Sequence, residues 1–283
     1  MTAGQERTAL HEVQQIPIGQ GPEALSAMVF ASPEAIGDYV ATLILDGVRI
    51  AREAGRPYLL GCPTGRTPMS SYQALGRRAA LAGTDLSQVT LVMMDDYVVP
   101  SGNGFEHCPA AAHYSCRRAA WEDILGAIHA GVDVPHRISL DRVWFADPAQ
   151  PDAYDRRIRD AGGIDLFITA SGASDGHVAF NAPGSSIDSG CRIVPLAATT
   201  RADNLLTFPR FKGIDEVPSH GVTVGLGTIR SLSRQVALLI HGANKRNAVR
   251  RLAACRGYDS QWPASFIYRC ANPLVILDRS AMP

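Results

Sequence analysis

The feature that most constrains the fold of this chain is an alternation of short apolar runs with longer amphipathic segments. The apolar runs have the length and composition of buried strands. They lie at residues 58–62, 89–94, 164–169, 222–224, 236–240 and 274–277. Segments with a helical period lie at residues 32–56, 68–81, 110–128, 151–161 and 244–255. This alternation predicts an α/β fold with a single doubly wound, mostly parallel sheet flanked by helices, and ligands bind at the carboxyl ends of such strands.

Charge and cysteine content narrow the class of protein. The 283 residues carry 27 basic and 27 acidic side chains, so no long-range field favours nucleic acid or a membrane surface. The six cysteines lack the close, repeated spacing of a small disulfide scaffold. We find neither a signal peptide nor the roughly 18 consecutive apolar residues of a spanning helix. We therefore expect a cytoplasmic protein that binds neither nucleic acid nor membrane.

The first residues differ in composition from the rest of the chain. Residues 1–28 mix Gly, Gln, Glu and Pro without a sustained period, which predicts a loosely ordered N-terminal extension. A helix is predicted to start next, because Ser32 can cap its N-terminus and Pro33 suits its first turn. We expect residues 29–283 to form one domain.

A turn rich in small residues follows the first predicted strand. The segment LGCPTGRTP lies between a strand and a helix, where backbone amides and a helix N-terminus favour a phosphate group. The hydroxyls of Thr64 and Thr67 are further donors beside Gly65, and Arg66 could hold a phosphate with two hydrogen bonds. An ordinary strand-to-helix turn with a solvated arginine explains the segment equally well.

Two segments carry acid–base residues at predicted strand ends. The sequence VMMDDYV ends a strand at Asp95 and Asp96, where a carboxylate could move protons between adjacent carbons of a bound sugar. Aspartates after a strand also cap helices, so this pair alone is ambiguous. In SGASDGHVAFNAPGSS, Asp175 and His177 lie two residues apart on a Gly-rich turn, where the aspartate can orient the imidazole for proton transfer.

These segments, in this order, resemble the glucosamine-6-phosphate deaminase/isomerase family, whose relatives include the 6-phosphogluconolactonases. The resemblance spans about residues 30–278 and also includes TTRADN, GVTVGLGTI and HGANK. It implies that Asp95 shuttles a proton between C1 and C2, that His177 assists ring opening, and that Asp175 orients His177. It also implies that Lys245 binds the substrate phosphate together with the turn Thr64, Gly65, Arg66 and Thr67. We count Asp96 among the substrate-binding residues as well.

The chain departs from the family pattern at several positions. Deaminases usually carry a glutamate directly after the asparagine of the histidine turn, where this chain has Ala182. The arginine that typically follows the T-R-x-x-N segment is replaced by Leu206, and Arg66 stands where the family has a small residue. Asp96 replaces a glutamate. We expect Arg66 to compensate for Leu206, and we expect an incomplete relay at His177.

Three functions remain open from the sequence. The first is an amino-sugar-phosphate deaminase/isomerase, an enzyme that needs only proton transfers and therefore no metal or organic cofactor. The second is a sugar-phosphate lactonase, and the third is a non-catalytic sugar-phosphate sensor. In each case the ligand is a small-molecule sugar phosphate. We also expect the protein to be a homo-oligomer.

One possible metal site is set aside. His107, Cys108, His113 and Cys116 are all ligand types that zinc accepts. The predicted helix at 110–128 places His113 and Cys116 on one face, where packing explains them, so we expect no metal there.

Overall fold

The computed structural model describes residues 13–283, and over that range the predicted α/β fold is confirmed. The strands are β1 Gln14–Ile18, β2 Leu25–Phe30, β3 Tyr58–Cys62, β4 Val89–Met93, β5 Asp95–Ser101, β6 Gly104–His107, β7 Val143–Trp144, β8 Ile164–Ala170, β9 Arg192–Pro195, β10 His220–Thr223, β11 Ser233–Ile240 and β12 Pro273–Asp278.

Within the described residues, eight strands form the main sheet in the order β1-β2-β12-β11-β8-β3-β4-β7. All neighbours in this sheet are parallel except the edge pair β1 and β2. Parallel neighbours need crossover connections, and helices supply them here.

Along the chain, the helices alternate with strands of the two sheets. Their bounds are α1 Pro33–Glu53, α2 Met69–Ala82, α3 (Cys116–Arg118, a π-helical turn Ala119–Ile124, and Leu125–His129), α4 Asp152–Asp160, α5 Ala198–Thr207, α6 Leu226–Leu232 and α7 Arg246–Ala254. Short 3-10 turns cover Gly21–Glu23, Val134–His136, Leu140–Arg142, Ile214–Glu216, Ala243–Lys245, Pro263–Arg269 and Arg279–Ala281.

The main sheet is buried on both faces. Along β11, Val236, Leu238 and Ile240 pack into one apolar cluster, which also holds residues of α4, α6 and α7. The intervening Ala237 and Leu239 pack into a second cluster on the opposite face, with residues of α1, α2 and α3. Because successive side chains of a strand point to opposite faces, a strand between two helical layers is apolar throughout.

A second sheet, which the sequence did not predict, lies beside the main one. It has the antiparallel order β6-β5-β10-β9. The chain crosses from β4 to β5 through Met94 alone, whose N–H donates to the carbonyl of Cys62 at 3.2 Å and whose carbonyl accepts the N–H of Val224 at 2.8 Å. Residues 220–223 therefore belong to this small sheet, whereas we predict one sheet for all strands.

Two predicted boundaries differ from the structure. The helix predicted at 110–128 starts only at Cys116, because Ser115 caps it and accepts the N–H of Arg118 at 3.3 Å. The extension predicted at 1–28 is not separated from the domain, since β1 and β2 extend the main sheet at its edge and β2 pairs with β12. Residues 1–12 lie outside the described part of the chain.

Candidate functional site

A cleft of about 650 Å³ lies at the carboxyl ends of the main-sheet strands. The segments that line it directly follow β3, β4, β8 and β11, and residues of α5 cover one side. The small sheet contributes Asp95 and Tyr97 from β5. The cleft therefore lies where a doubly wound sheet is expected to bind its ligand.

The turn between β3 and α2 forms one wall of the cleft. Gly65 has a φ of +84°, a conformation that side-chain-bearing residues rarely adopt. The turn is tied down at two points: the Tyr72 hydroxyl donates to the carbonyl of Pro63 at 2.9 Å, and Nε2 of His241 lies 2.9 Å from the carbonyl of Thr67. Its amides and the N-terminus of the 14-residue helix α2 together favour an anion.

Two cations line the cleft near this turn. Nζ of Lys245 donates to the carbonyl of Ser171 at 2.6 Å. Burial lowers the pKa of Lys245, and the charge of Arg66 lowers it further, while Asp203 opposes both effects. The side chain of Arg66 is exposed, and its guanidinium forms no hydrogen bond or ion pair within residues 13–283, so it is available to a ligand.

Asp95 is the first residue of β5, and its carboxylate lies in the cleft. Burial raises the pKa of Asp95 to about 7, and the neighbouring charge of Asp96 raises it too. Hydrogen bonding from Cys116 and the charge of His177 act in the opposite direction. A carboxyl group with a pKa near 7 can both accept and donate a proton at neutral pH, as a group that moves a proton between two carbons must.

Asp96 has a different position from the one we expect for a substrate-binding residue. Its side chain is fully buried and does not line the cleft. One carboxylate oxygen accepts the backbone N–H of Tyr97 and of Cys116, each at 2.9 Å. The other lies 2.9 Å from Nδ1 of His107 and 3.2 Å from Nε of Arg117. Protein groups thus occupy both oxygens, and the side chain joins β5, β6 and the start of α3.

The histidine turn holds its acid–base pair in a fixed geometry. Nδ1 of His177 lies 2.7 Å from Oδ1 of Asp175, and the Thr199 hydroxyl donates to Oδ2 of Asp175. Burial opposes ionisation of Asp175, but the hydrogen bonds from His177 and Thr199 outweigh it and hold the pKa of Asp175 below its ordinary range. With Nδ1 on the carboxylate, Nε2 is the nitrogen that can exchange a proton in the cleft.

Gly172 shows how tightly the turn packs on this pair. A Cβ atom at Gly172 would lie 2.3 Å from Nδ1 of His177 and 2.8 Å from Oδ1 of Asp175. The Gly172 N–H donates to the carbonyl of His177 at 2.8 Å. A larger residue at this position would displace the pair.

The structure locates Ala182 and Leu206, two of the departures from the family pattern. Ala182 does not line the cleft, and within the described residues Asp175 is the carboxylate that bonds His177. Leu206 lines the cleft on α5 with 75 % of its surface exposed. Arg66 lines the same cleft.

Sequence reasoning missed three residues that line the cleft or contact a residue of the acid–base pair. Thr199 lies in the quoted motif TTRADN without an assigned role, although a threonine in a recognised motif was a usable signal. Asp203 in the same motif approaches Lys245 closely enough to affect its pKa. Cys116 was assigned to packing, and no sequence signal connects it to Asp95, 21 residues away.

Neither a metal site nor a membrane span is found in the described part of the chain. Residues 13–283 contain no cluster of three or more His, Cys, Asp or Glu side chains arranged to hold a metal. His107 contacts Asp96 instead, and His113 packs against Phe211 with ring centroids 4.6 Å apart. No helix in this range is both long and apolar enough to cross a bilayer.

Comparison with known proteins finds relatives that match most of the chain. A glucosamine-6-phosphate deaminase of Rhodococcus opacus is 33 % identical over 260 residues, 91 % of this chain and 91 % of the relative. A solved structure of a monomeric glucosamine-6-phosphate deaminase aligns with a TM-score of 0.76 and 26 % identity, over 90 % of this chain and 98 % of that one.

More distant structures share the fold. A 6-phosphogluconolactonase from Trypanosoma cruzi aligns with a TM-score of 0.64 at 19 % identity, over 89 % of this chain and 94 % of the other. The profile of one family, described as glucosamine-6-phosphate isomerases/6-phosphogluconolactonase, matches residues 31–276. With a match of that length and relatives above 30 % identity over nine-tenths of the chain, this protein belongs to the glucosamine-6-phosphate isomerase/6-phosphogluconolactonase family.

Proposed function

We propose that this protein is an amino-sugar-phosphate deaminase/isomerase, which converts an aldose phosphate bearing an amine at C2 into a ketose phosphate and releases ammonia. The observation that carries the proposal is that a carboxylate with a pKa of about 7, an oriented histidine and a phosphate-binding turn line a single cleft. The names of its relatives in the family support the same reaction.

The phosphate is proposed to bind at the turn between β3 and α2. The hydroxyls of Thr64 and Thr67, the backbone of Gly65 and the amides of the helix N-terminus are the donors. Lys245 and Arg66 both line the cleft and supply positive charge to it. Binding at this remote group fixes the sugar carbons relative to the acid–base residues, so that part of the reaction entropy is lost on binding.

Proton transfer is proposed to depend on Asp95. Ionised Asp95 removes the proton from C2 of the open-chain sugar and returns it to C1, through an enolamine intermediate. Water then adds at C2 and ammonia leaves, so that atoms balance without an oxidant or reductant. The pKa of about 7 leaves a large ionised fraction at neutral pH while making the protonated form a useful acid.

His177 is proposed to open the sugar ring before that step. Nε2 exchanges a proton with the ring oxygen or the C1 hydroxyl, while Asp175 stabilises the imidazolium that forms. Thr199 holds the second oxygen of Asp175 and so fixes the orientation of the pair. Because Ala182 supplies no second carboxylate, this dyad would act without the glutamate of the family relay.

That same absence favours lactone hydrolysis as a second candidate function. A lactone is a cyclic ester whose carbonyl carbon water can attack directly. Its hydrolysis needs a base to activate that water, but no relay that opens the ring beforehand. His177 in contact with Asp175 is a base of that kind. The sensor hypothesis has no comparable support, since the retained carboxylate and histidine have no role in binding alone.

The deciding experiment measures ammonia release from glucosamine 6-phosphate and from galactosamine 6-phosphate, beside hydrolysis of 6-phosphogluconolactone. We expect ammonia from at least one amino sugar. Lactone hydrolysis without ammonia release would overturn the deaminase proposal in favour of the lactonase, and turnover of neither class would favour the sensor.

Two variants test the assigned roles. Asp95→Asn and His177→Gln are each expected to lower kcat by about 10²–10⁴-fold, because each removes a proton-transfer group. Asp188→Asn, which removes an exposed carboxylate paired with Arg230 outside the cleft, serves as the control. Unchanged turnover in both cleft variants would contradict the site assignment.

A homo-oligomer in the cytoplasm is also proposed. Trp121, Val134 and Leu140 are exposed apolar side chains that line one shallow surface groove beside α3, and such patches favour association. All six cysteines are unpaired, which fits a reducing compartment. Analytical ultracentrifugation measures the mass in solution, and a monomer at micromolar concentration would contradict the oligomer.

A further inference from the structure

A buried thiol lies between the phosphate-binding turn and the proposed catalytic base. Sγ of Cys116 lies 3.6 Å from Oδ1 of Asp95 and 3.7 Å from Oγ1 of Thr64. Both distances are within the range of hydrogen bonds to sulfur. The cleft is lined by all three side chains, and the thiol therefore contacts the carboxylate that the proposed mechanism needs.

The position of the thiol is fixed by the backbone rather than by chance packing. Cys116 is the first residue of α3, directly after the capping Ser115. Its N–H donates to Oδ1 of Asp96 at 2.9 Å, and Asp96 follows Asp95 in β5. Arg117 and His107 hold the other oxygen of Asp96. The helix start and the strand start are thereby locked together, which brings Sγ to Asp95.

The thiol is a proton donor in this setting. Burial raises the pKa of the Cys116 thiol well above its ordinary value, and the charges of Asp95 and Asp96 raise it further. The S–H bond is therefore intact at neutral pH, so Cys116 is no nucleophile. An ionised carboxylate has only acceptor oxygens, which means that the hydrogen bond between the two groups runs from S–H to Oδ1.

We propose that Cys116 is a positioning residue that donates its S–H to Asp95, while its sulfur accepts the hydroxyl of Thr64, so that one hydrogen-bonded chain joins the phosphate turn to the base. This inference deepens the proposed function, on which its catalytic meaning rests. The bond orients Oδ1 and favours the ionised form of Asp95 against the burial that disfavours it.

Other groups near Asp95 also affect its pKa, and their effects have to be separated from that of the thiol. The charge of Asp96 raises the pKa of Asp95 and the charge of His177 lowers it, while the charge of Asp95 in turn raises the pKa of Tyr97. Only a change at Cys116 that leaves the others in place isolates the hydrogen bond. Replacement by alanine removes the donor, and replacement by serine keeps a donor of similar size.

The experiment follows the Asp95 carboxyl carbon by ¹³C NMR through a pH titration, in the wild type, Cys116→Ala and Cys116→Ser. The signal is assigned by its loss in Asp95→Asn. We expect Cys116→Ala to raise the pKa of Asp95 by roughly half a unit to one unit, as loss of a hydrogen bond to the charged form does. We expect Cys116→Ser to leave it unchanged or lower.

Two outcomes overturn the proposal. An unchanged pKa in Cys116→Ala would mean that the thiol does not donate to Asp95. A rise of the same size in both variants would mean that packing around the sulfur, and not its proton, sets the pKa. Cys270→Ala removes another buried thiol, one that does not line the cleft, and controls for a general effect of such a loss.

Turnover supplies the second readout. The acid limb of the pH dependence of kcat/KM is expected to move to higher pH in Cys116→Ala and to return in Cys116→Ser. The NMR titration needs no substrate. If the wild type releases no ammonia, the proposed deaminase function fails, while the titration still decides whether Cys116 donates to Asp95.

Discussion

At the scale of single residues, the adjacent Asp95 and Asp96 illustrate how position sets the role of a carboxylate. Successive side chains of β5 point to opposite sides of the strand. Asp95 therefore enters the cleft, and Asp96 enters the protein, where two backbone N–H groups, the Cys108 thiol, His107 and Arg117 surround it. The sequence DD predicts two acids at one strand end, but the side that each one faces depends on the pairing of β5 with β10.

Asp95 is expected to destabilise the folded protein at neutral and alkaline pH. Its pKa rises on folding from 3.8 to about 7, so folding favours the protonated form, and stability is lost as the pH rises through that interval. Asparagine never ionises. We therefore expect Asp95→Asn to raise the free energy of unfolding by roughly 2–4 kcal/mol at pH 8, with little difference near pH 4.

Urea denaturation of both proteins at the two pH values measures this effect. If Asp95→Asn were less stable than the wild type at pH 8, burial of the ionised Asp95 would not destabilise the folded protein. Asp188→Asn, an exposed residue, should give no pH-dependent difference.

Arg66 is expected to replace the arginine that the family has at the position of Leu206. Charge-assisted hydrogen bonds are worth about 1.5–3 kcal/mol, so Arg66→Leu should raise KM for the sugar phosphate by about 10–100-fold with a smaller effect on kcat. Adding Leu206→Arg to that variant should recover part of the loss, because both side chains line the same cleft.

Steady-state kinetics of Arg66→Leu and of the double variant with Leu206→Arg measures these changes in KM and kcat. Arg49→Leu serves as the control. Arg49 pairs with Glu53 on the exposed side of α1, so this variant should leave KM unchanged. No rise in KM for Arg66→Leu would mean that Lys245 and the turn hold the phosphate without it.

At the scale of elements, close packing of helices fixes the turn that precedes α2. A Cβ atom at Gly37 of α1 would lie 2.5 Å from the carbonyl oxygen of Ser70 in α2. At Gly76 of α2 it would lie 2.2 Å from the carbonyl oxygen of Ala127 in α3. Backbone atoms cannot move aside as a flexible side chain can, so glycine permits these approaches.

Gly76→Ala is therefore expected to force α2 and α3 apart and to destabilise the protein by roughly 1–3 kcal/mol, as overpacking does. Gly126→Ala in α3 is the matched control, because a Cβ atom there meets nothing within 4 Å. Alanine at that position should be neutral or stabilise by up to about 1 kcal/mol, through helix propensity. Guanidinium denaturation of the two variants measures the difference, and equal effects would contradict this account.

At the scale of the whole molecule, the cleft is a product of two sheets. The turn between β3 and α2, which we propose binds phosphate, and Lys245 follow strands of the main sheet, whereas Asp95 is the first residue of β5 in the small sheet. Met94 alone connects β4 to β5, with hydrogen bonds to Cys62 of β3 and to Val224, which directly follows β10. The main sheet therefore positions the proposed phosphate-binding groups, and the small sheet positions Asp95. The connection at Met94 sets the distance between these groups.

The sequence by itself determined the doubly wound sheet and the segments at its strand ends. Apolar runs at 58–62, 89–94, 164–169 and 236–240 must be buried on both faces, and that requirement is local to each run. The turn at Thr64–Thr67, the acid at Asp95 and the pair Asp175 and His177 could be found for the same reason, since glycines and acid–base residues directly follow those runs.

Only the tertiary structure decided the small sheet, the buried role of Asp96 and the contact of Cys116 with Asp95. The strands of the small sheet are mostly four residues long, and their pairing joins segments from distant parts of the chain. Asp96 and Cys116 are 20 residues apart, so no local pattern relates them. Such contacts depend on how the elements pack, because the chemistry of a carboxylate depends on which donors surround it and not on its neighbours in sequence.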